Sequence, residues 1–301
     1  IDSPCQALKR RKDIKAKNCK GKIIIMNHLT PTEIAQTMTQ IGVSKSESSI
    51  RKLLVMGVMA GAYIAFAGAA STMGAFNLLF EADTYGLGKI LCGAIFTGGL
   101  VIVTLAGAEL FTGNCLITLS VIKKKTTAAK MFRNWVVVYI ANFAGSVLVA
   151  WLVYNSGILN SGGGYLGAMT VKIAAQKVNM TFFSCFASGV LCNWLVCLAV
   201  WSAAGAKTTA GKVLAVFFPI WMFATCGFEH SVANMYFIPA GILASANEAF
   251  TTVSGAAGEA LANLNWAGMF AENLLPVTLG NIAGGVIFVA VGYWLALKEG
   301  R

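Results

Sequence analysis

Two hexapeptides hold the residues most able to do chemistry: Glu109-Leu110-Phe111-Thr112-Gly113-Asn114 and Glu229-His230-Ser231-Val232-Ala233-Asn234. Each opens on a carboxylate and closes on an asparagine, and each is flanked by apolar sequence long enough to lie inside a bilayer. Ionisable groups at that depth cost a few kcal/mol or more, so they face a water-filled path or a paired site. Two matched polar breaks in one chain imply two related half-proteins that meet around a permeation pathway. His230 is the sharpest candidate. It could donate a hydrogen bond or a proton to a passing solute, or serve as a structural imidazole bonded to backbone freed by the break. Thr112 is its neutral counterpart, either a pore donor and acceptor or a hydroxyl capping a broken helix. Glu109 and Glu229 read as braces, paired to freed backbone N–H groups or to asparagines such as Asn114 and Asn234. Asn193, inside a later apolar segment, reads as a helix-packing hydrogen bonder.

The elements that carry these residues follow from composition. The 301 residues are 57% hydrophobic and 12% charged. A soluble domain would have roughly twice that charge, so the chain is an all-α integral membrane protein with one compact membrane domain. The net charge of +11 does not point to nucleic acid, because the bases cluster in the N-terminal segment and short loops. Eight cysteines offer no disulfide framework. Cys92, Cys115, Cys185, Cys192, Cys197 and Cys226 lie in apolar segments without a CxxC pair and read as small buried thiols. With His28 and His230 the only histidines, a metal site has little material and no cofactor is expected. A membrane enzyme would need a nucleophile–base–orienter set that the chain lacks.

Residues 1–25 are Lys/Arg-rich with no long apolar run, and read as a basic leader or a segment foreign to the native chain, which starts well at Met26. Residues 26–52 hold a cytoplasmic amphipathic helix. Thr30 is its N-cap, Pro31 its first residue, Glu33 closes a capping box, Ile34, Met38 and Ile41 share a face, and Gly42 is its C-cap. Residues 53–301 form the channel domain, with apolar segments near 53–76, 90–122, 134–155, 181–202, 213–243 and 274–297. A span needs about 20 residues. The second and fifth segments exceed that and contain the two polar elements, so each is expected to be a broken helix.

Loop charge sets orientation. Lys123, Lys124, Lys125, Lys130, Arg133, Lys207 and Lys212 lie on one side, and Glu81, Asp83, Glu248, Glu259 and Glu272 on the other. Both termini are then cytoplasmic. Lys89, Lys172 and Lys177 break the pattern. Lys177 is either a solvated loop lysine or, at an outer mouth, a charge that concentrates anions. Asn134, Val138, Asn142, Gly145 match Asn273, Val277, Asn281, Gly284, and Gly57-Val58 and Ala67 match Gly189-Val190 and Ala199. Three spans per copy invert the second, giving a 3+3 inverted repeat.

Ala108–Asn114, Asn193-Trp194-Leu195-Val196-Cys197-Leu198-Ala199-Val200-Trp201 and Gly227–Met235 resemble the formate/nitrite transporter family over residues 28–297. The resemblance implies an aquaporin-like fold in a homopentamer, one pore per protomer, in the inner (plasma) membrane. It implies passive or proton-coupled passage of small monovalent anions: formate, nitrite or hydrosulfide. By motif position His230 is the central pore histidine and Thr112 faces it. Phe96 and Phe223 form one constriction, Leu100, Phe111 and Val196 the other, and Lys177 is the vestibule lysine. A histidine near its reference pKa of about 6.5 would make transport pH-sensitive. The competing reading is a neutral-solute channel on the same fold, which lacks the usual paired Asn-Pro-Ala elements.

Overall fold

The computed structural model describes residues 28–297 and two short antiparallel strands, β1 (Lys15–Lys17) and β2 (Ile23–Ile25). The rest of the basic segment 1–25 lies outside the described residues. Helix α1 (Pro31–Glu47) starts as expected: Thr30 N–H donates to Glu33 Oε2 at 2.8 Å, and Glu33 N–H donates to Thr30 Oγ1 at 3.4 Å. The Thr30 N–H and then the Thr30 hydroxyl, both donating to Glu33 Oε2, hold its carboxyl below the usual carboxylate range. Gly42 is not the C-cap; the helix runs on to Ser48. The glycine serves a close approach instead, since a Cβ there would collide with Ser120.

Among the described residues eleven longer helical elements follow, besides the short 3-10 turns Ala82–Thr84 and Ile158–Asn160. They are α2 (Ile50–Ala75), α3 (Tyr85–Ile102), α4 (Phe111–Ile122), α5 (Ala128–Asn155), α6 (Tyr165–Val178), α7 (Phe182–Gly205), α8 (Thr209–Cys226), α9 (Ser231–Ala244), α10 (Glu248–Ser254), α11 (Gly258–Ala262) and α12 (Trp266–Ala296). Helices α2, α3, α5, α7, α8 and α12 are long and apolar enough to cross a membrane, while α4 and α9 are shorter. The first of these spanning helices begins at Ile50. Helix α6 occupies what the sequence reads as an outer loop.

The second and fifth segments are broken as expected. Helix α3 widens through a π turn, Val103–Gly107, and Gly107 lies at φ +76°. Ala108 and Leu110 are extended before α4 begins at Phe111. Helix α8 ends at Gly227, φ +75°, a left-handed conformation that suits a residue without Cβ. His230 is extended and α9 starts at Ser231.

The halves superimpose in their contacts. Helix α2 packs on α5 and α7 on α12, and α3 meets α8. A Cβ on Gly145 would collide with Val58 O, and one on the repeat-matched Gly284 with Val190 O. Small residues let membrane helices approach to backbone contact, which explains why these glycines recur at one offset. Helix α1 lies on α4 and α6 lies on α9, so each repeat includes a short lead helix before its three spans. The outer faces carry exposed Phe66, Val136, Ile140, Phe218, Leu279 and Ile287, suited to lipid or to a second protomer.

Candidate functional site

Breaking a helix inside an apolar bundle frees backbone groups that must find partners. At the first break Phe111 N–H donates to Asn142 Oδ1 at 2.9 Å, and Asn142 Nδ2 donates to Gly57 O and Glu109 O at 2.8 and 2.9 Å. At the second, Ser231 N–H donates to Asn281 Oδ1 at 2.9 Å, and Asn281 Nδ2 donates to Gly189 O and Glu229 O at 2.8 and 2.9 Å. One asparagine from the third span therefore ties each break to the first span of its own half.

The two carboxylates are held by a second layer. Glu109 Oε2 accepts from Asn114 Nδ2 at 2.8 Å and from Lys45 Nζ at 2.9 Å. Glu229 Oε2 accepts from Asn234 Nδ2 at 2.6 Å, and its Oε1 accepts from Lys177 Nζ at 2.6 Å. Asn134 and Asn273 complete the sets, each accepting from the break asparagine and donating to the backbone carbonyl of Lys45 or Lys177. The N–H groups of Phe111 and Ser231 thus go to asparagines rather than to the carboxylates, while Glu109 N–H donates to Met56 O and Glu229 N–H to Ser188 Oγ. Lys45 is the functional-site residue that sequence reasoning missed. The offset that carries Gly57 onto Gly189 also carries Lys45 onto Lys177, a signal present in the sequence.

His230 and Thr112 meet at the centre. The imidazole is 3% exposed, and its Nε2 lies 2.9 Å from Thr112 Oγ1. Its Nδ1 accepts from Ala233 N–H at 3.0 Å, capping α9. An acceptor role at Nδ1 places the proton of the neutral ring on Nε2, which then donates to Thr112 Oγ1. A second ring proton would set Nδ1 against the backbone N–H. Among the described residues the Thr112 hydroxyl has no other hydrogen-bond partner. Asn193 Nδ2 donates to Thr112 O at 3.2 Å and to Asn281 O at 2.6 Å, tying α7 to α4 and α12.

Two cavities approach this pair from opposite ends of α2. The larger, about 1130 Å³, is walled by Lys89, Lys172, Lys177 and Glu81, and its floor is Phe96, Phe223 and His230. Phe96 and Phe223 stand edge to face, centroids 5.8 Å apart, and Phe223 stacks on His230 at 5.9 Å. The smaller, about 410 Å³, is walled by Lys45, Lys52 and Lys212 and reaches Leu100 and Leu110. Phe111 and Val196 are buried and border neither cavity. The Phe111 ring stands edge-on to Tyr139, 4.9 Å away, and Val196 sits on α7 between Asn193 and Cys197, which bonds Thr112 O. Among the described residues no group of three or more His, Cys, Asp or Glu could hold a metal, and the six cysteines described are free thiols, with Cys226 exposed.

Residues 32–295 match the Formate/nitrite transporter family. A probable formate transporter of Methanothermobacter thermautotrophicus is 39% identical over 90% of this chain and 98% of its own. The formate channel FocA of Escherichia coli K12 is 33% identical over 89% of this chain and 94% of its own. Among solved structures, a pentameric formate channel with formate bound superimposes with a TM-score of 0.74 at 35% identity, covering 83% of this chain and 98% of that one. A channel of the FNT family gives the same TM-score at 29% identity over 89% of this chain and all of that one. With its two broken spans, repeated asparagine ties and matched sequence, the chain belongs to the formate/nitrite transporter family.

Proposed function

We propose that the chain is a multi-pass channel for small monovalent anions of weak acids: formate, nitrite or hydrosulfide. The observation that carries this reading is the buried Thr112–His230 pair standing between two lysine-walled cavities. Moving a bare anion through an apolar slit is prohibitive by Born arguments. Lysines at each mouth raise the local anion concentration. Phe96 and Phe223 strip water from the solute on one side, and Leu100, Phe111 and Val196 on the other. At the centre Thr112 donates its hydroxyl hydrogen to the anion while His230 Nε2–H donates to Thr112 Oγ1 and polarises the hydroxyl. A proton that accompanies the anion lets it cross the second slit as the neutral acid. Glu109, Glu229, Asn114, Asn234 and Asn193 hold this geometry.

By loop charge the Lys45 end, with Lys123–Lys125, faces the cytoplasm together with both termini, and the Lys177 end faces outward. Residues 26–52 close the cytoplasmic end over the six-helix domain of residues 53–301, in the inner (plasma) membrane. Similarity to a pentameric formate channel supports a homopentamer with one pore per protomer.

Side-by-side flux of formate, nitrite, hydrosulfide, acetate, lactate and glycerol through proteoliposomes tests the reading. Saturable passage of one or more of the three smallest anions, without glycerol passage, is expected. Glycerol flux with no anion flux would replace it with the neutral-solute channel.

A further inference from the structure

The wider cavity holds more positive charge than the Lys177 site accounts for. Lys177 is neutralised there: Glu229 Oε1 lies 2.6 Å from its Nζ. Lys172 is drawn aside, with its Nζ 4.9 Å from the centre of the Phe80 ring. Lys89 has no carboxylate within ion-pairing distance and no hydrogen bond to its ammonium among the described residues. Its position is fixed by the second break. A Cβ built on Gly227 would stand 2.9 Å from Lys89 Nζ, so the ammonium lies over the left-handed glycine that ends α8, two residues before Glu229.

Helix geometry sets Lys89 above the slit. Lys89 and Phe96 are seven residues apart on α3, two turns along one face. At about 1.5 Å per residue that is roughly 10 Å. Lys89 also lies within Coulombic range of Lys177 and Glu229. The carboxylate at the rim of the same cavity, Glu81, makes no salt bridge among the described residues and tempers the field without neutralising Lys89. A lysine on the acidic side of the membrane also runs against the loop-charge pattern that orients the rest of the chain.

The geometry points to Lys89 as the anion-recruiting residue of the wider mouth, the unpaired cation that holds a small monovalent anion above the Phe96–Phe223 slit, while Lys177 is committed to bracing Glu229. The inference rests on the anion-channel reading and sharpens it, because it separates the lysine that attracts the solute from the lysine that supports the break.

The test is initial formate uptake into proteoliposomes containing the full chain, at low and high ionic strength, for wild type, Lys89→Gln, Lys89→Met, Lys89→Arg and Lys172→Gln. Steering by a focused charge raises local anion concentration about tenfold or more. We expect Lys89→Gln and Lys89→Met to raise the half-saturating formate concentration about fivefold at low salt, with maximal flux near wild type. Both neutral variants should lose most of the salt sensitivity that wild type shows, since screening acts on the charge they lack. Lys89→Arg should restore both properties, and Lys172→Gln should change them less. A packing role for Lys89 would instead lower maximal flux and leave the salt dependence intact. Wild-type formate transport with neutral Lys89 variants that keep the wild-type half-saturation and salt dependence would overturn the Lys89 role alone. A wild-type chain that carries no anion at all would overturn the channel reading and the Lys89 role with it.

Discussion

Glu229 is 3% exposed, and its charge is tolerated because Lys177, Asn234 and Asn273 surround it. Removing one partner of a buried ion pair leaves an uncompensated charge, at a cost of about 3–5 kcal/mol, whereas neutralising both partners is often harmless. Lys177→Met should therefore lower the thermal stability of the purified protein strongly, and adding Glu229→Gln should recover most of the loss. Equal stability of the single and double variants would show that the pair does not brace the break. The sequence made Glu109, Glu229, Asn114 and Asn234 visible because charge and amide stand out in apolar segments. Lys45 was visible only through the repeat offset that carries it onto Lys177, because in a polar amphipathic helix one lysine resembles any other. That Thr112 faces His230 was legible only through the family resemblance, and the ring nitrogen that makes the contact, Nε2, was not. In the repeat alignment His230 takes the position of Leu110 and Thr112 that of Val232, so the site is the place where the two halves differ.

Each broken element depends on its asparagine. Asn142 and Asn281 each satisfy one backbone N–H and two carbonyls in a fully buried setting. A buried backbone group left without a partner costs about 1–3 kcal/mol. Asn142→Leu and Asn281→Leu should each destabilise the protein by several kcal/mol and to a similar degree, as read by thermal melting in detergent. Marked inequality would mean that the two breaks are not equivalent supports. The breaks were legible from excess segment length, and the matched asparagines from their common offset. Helix α6 was not legible. Its 14 residues are too few to span, Gly162, Gly163 and Gly164 precede it, and Lys172 and Lys177 make it look like a solvated loop. Its counterpart α1 was legible because a capping box announces it. The slits belong to this scale as well. Phe223→Ala should raise acetate or lactate flux relative to formate in assembled protein, since a wider slit admits bulkier solutes. Loss of assembly with the wild-type selectivity ratio would assign Phe223 to packing, where truncating a buried phenylalanine costs about 3–5 kcal/mol.

Across the whole molecule, two inverted halves place a lysine-walled cavity at either end of one buried hydroxyl–imidazole pair. Loop charge gives the molecule its direction in the membrane, so a cysteine placed at position 124 in a cysteine-free background should stay unlabelled by impermeant reagent outside intact cells. Labelling there would reverse the orientation. The central claim is that a solute crosses by taking a hydrogen bond from Thr112, whose oxygen His230 holds. The most direct measurement is formate flux through proteoliposomes of Thr112→Val and Thr112→Ser, with wild type alongside. A hydrogen bond to a charged group is worth about 1.5–3 kcal/mol, or roughly 10- to 100-fold in rate. The account predicts a loss of that size for the isosteric Thr112→Val and near-wild-type flux for Thr112→Ser, in proteins of equal thermal stability. Wild-type formate flux in Thr112→Val would contradict it.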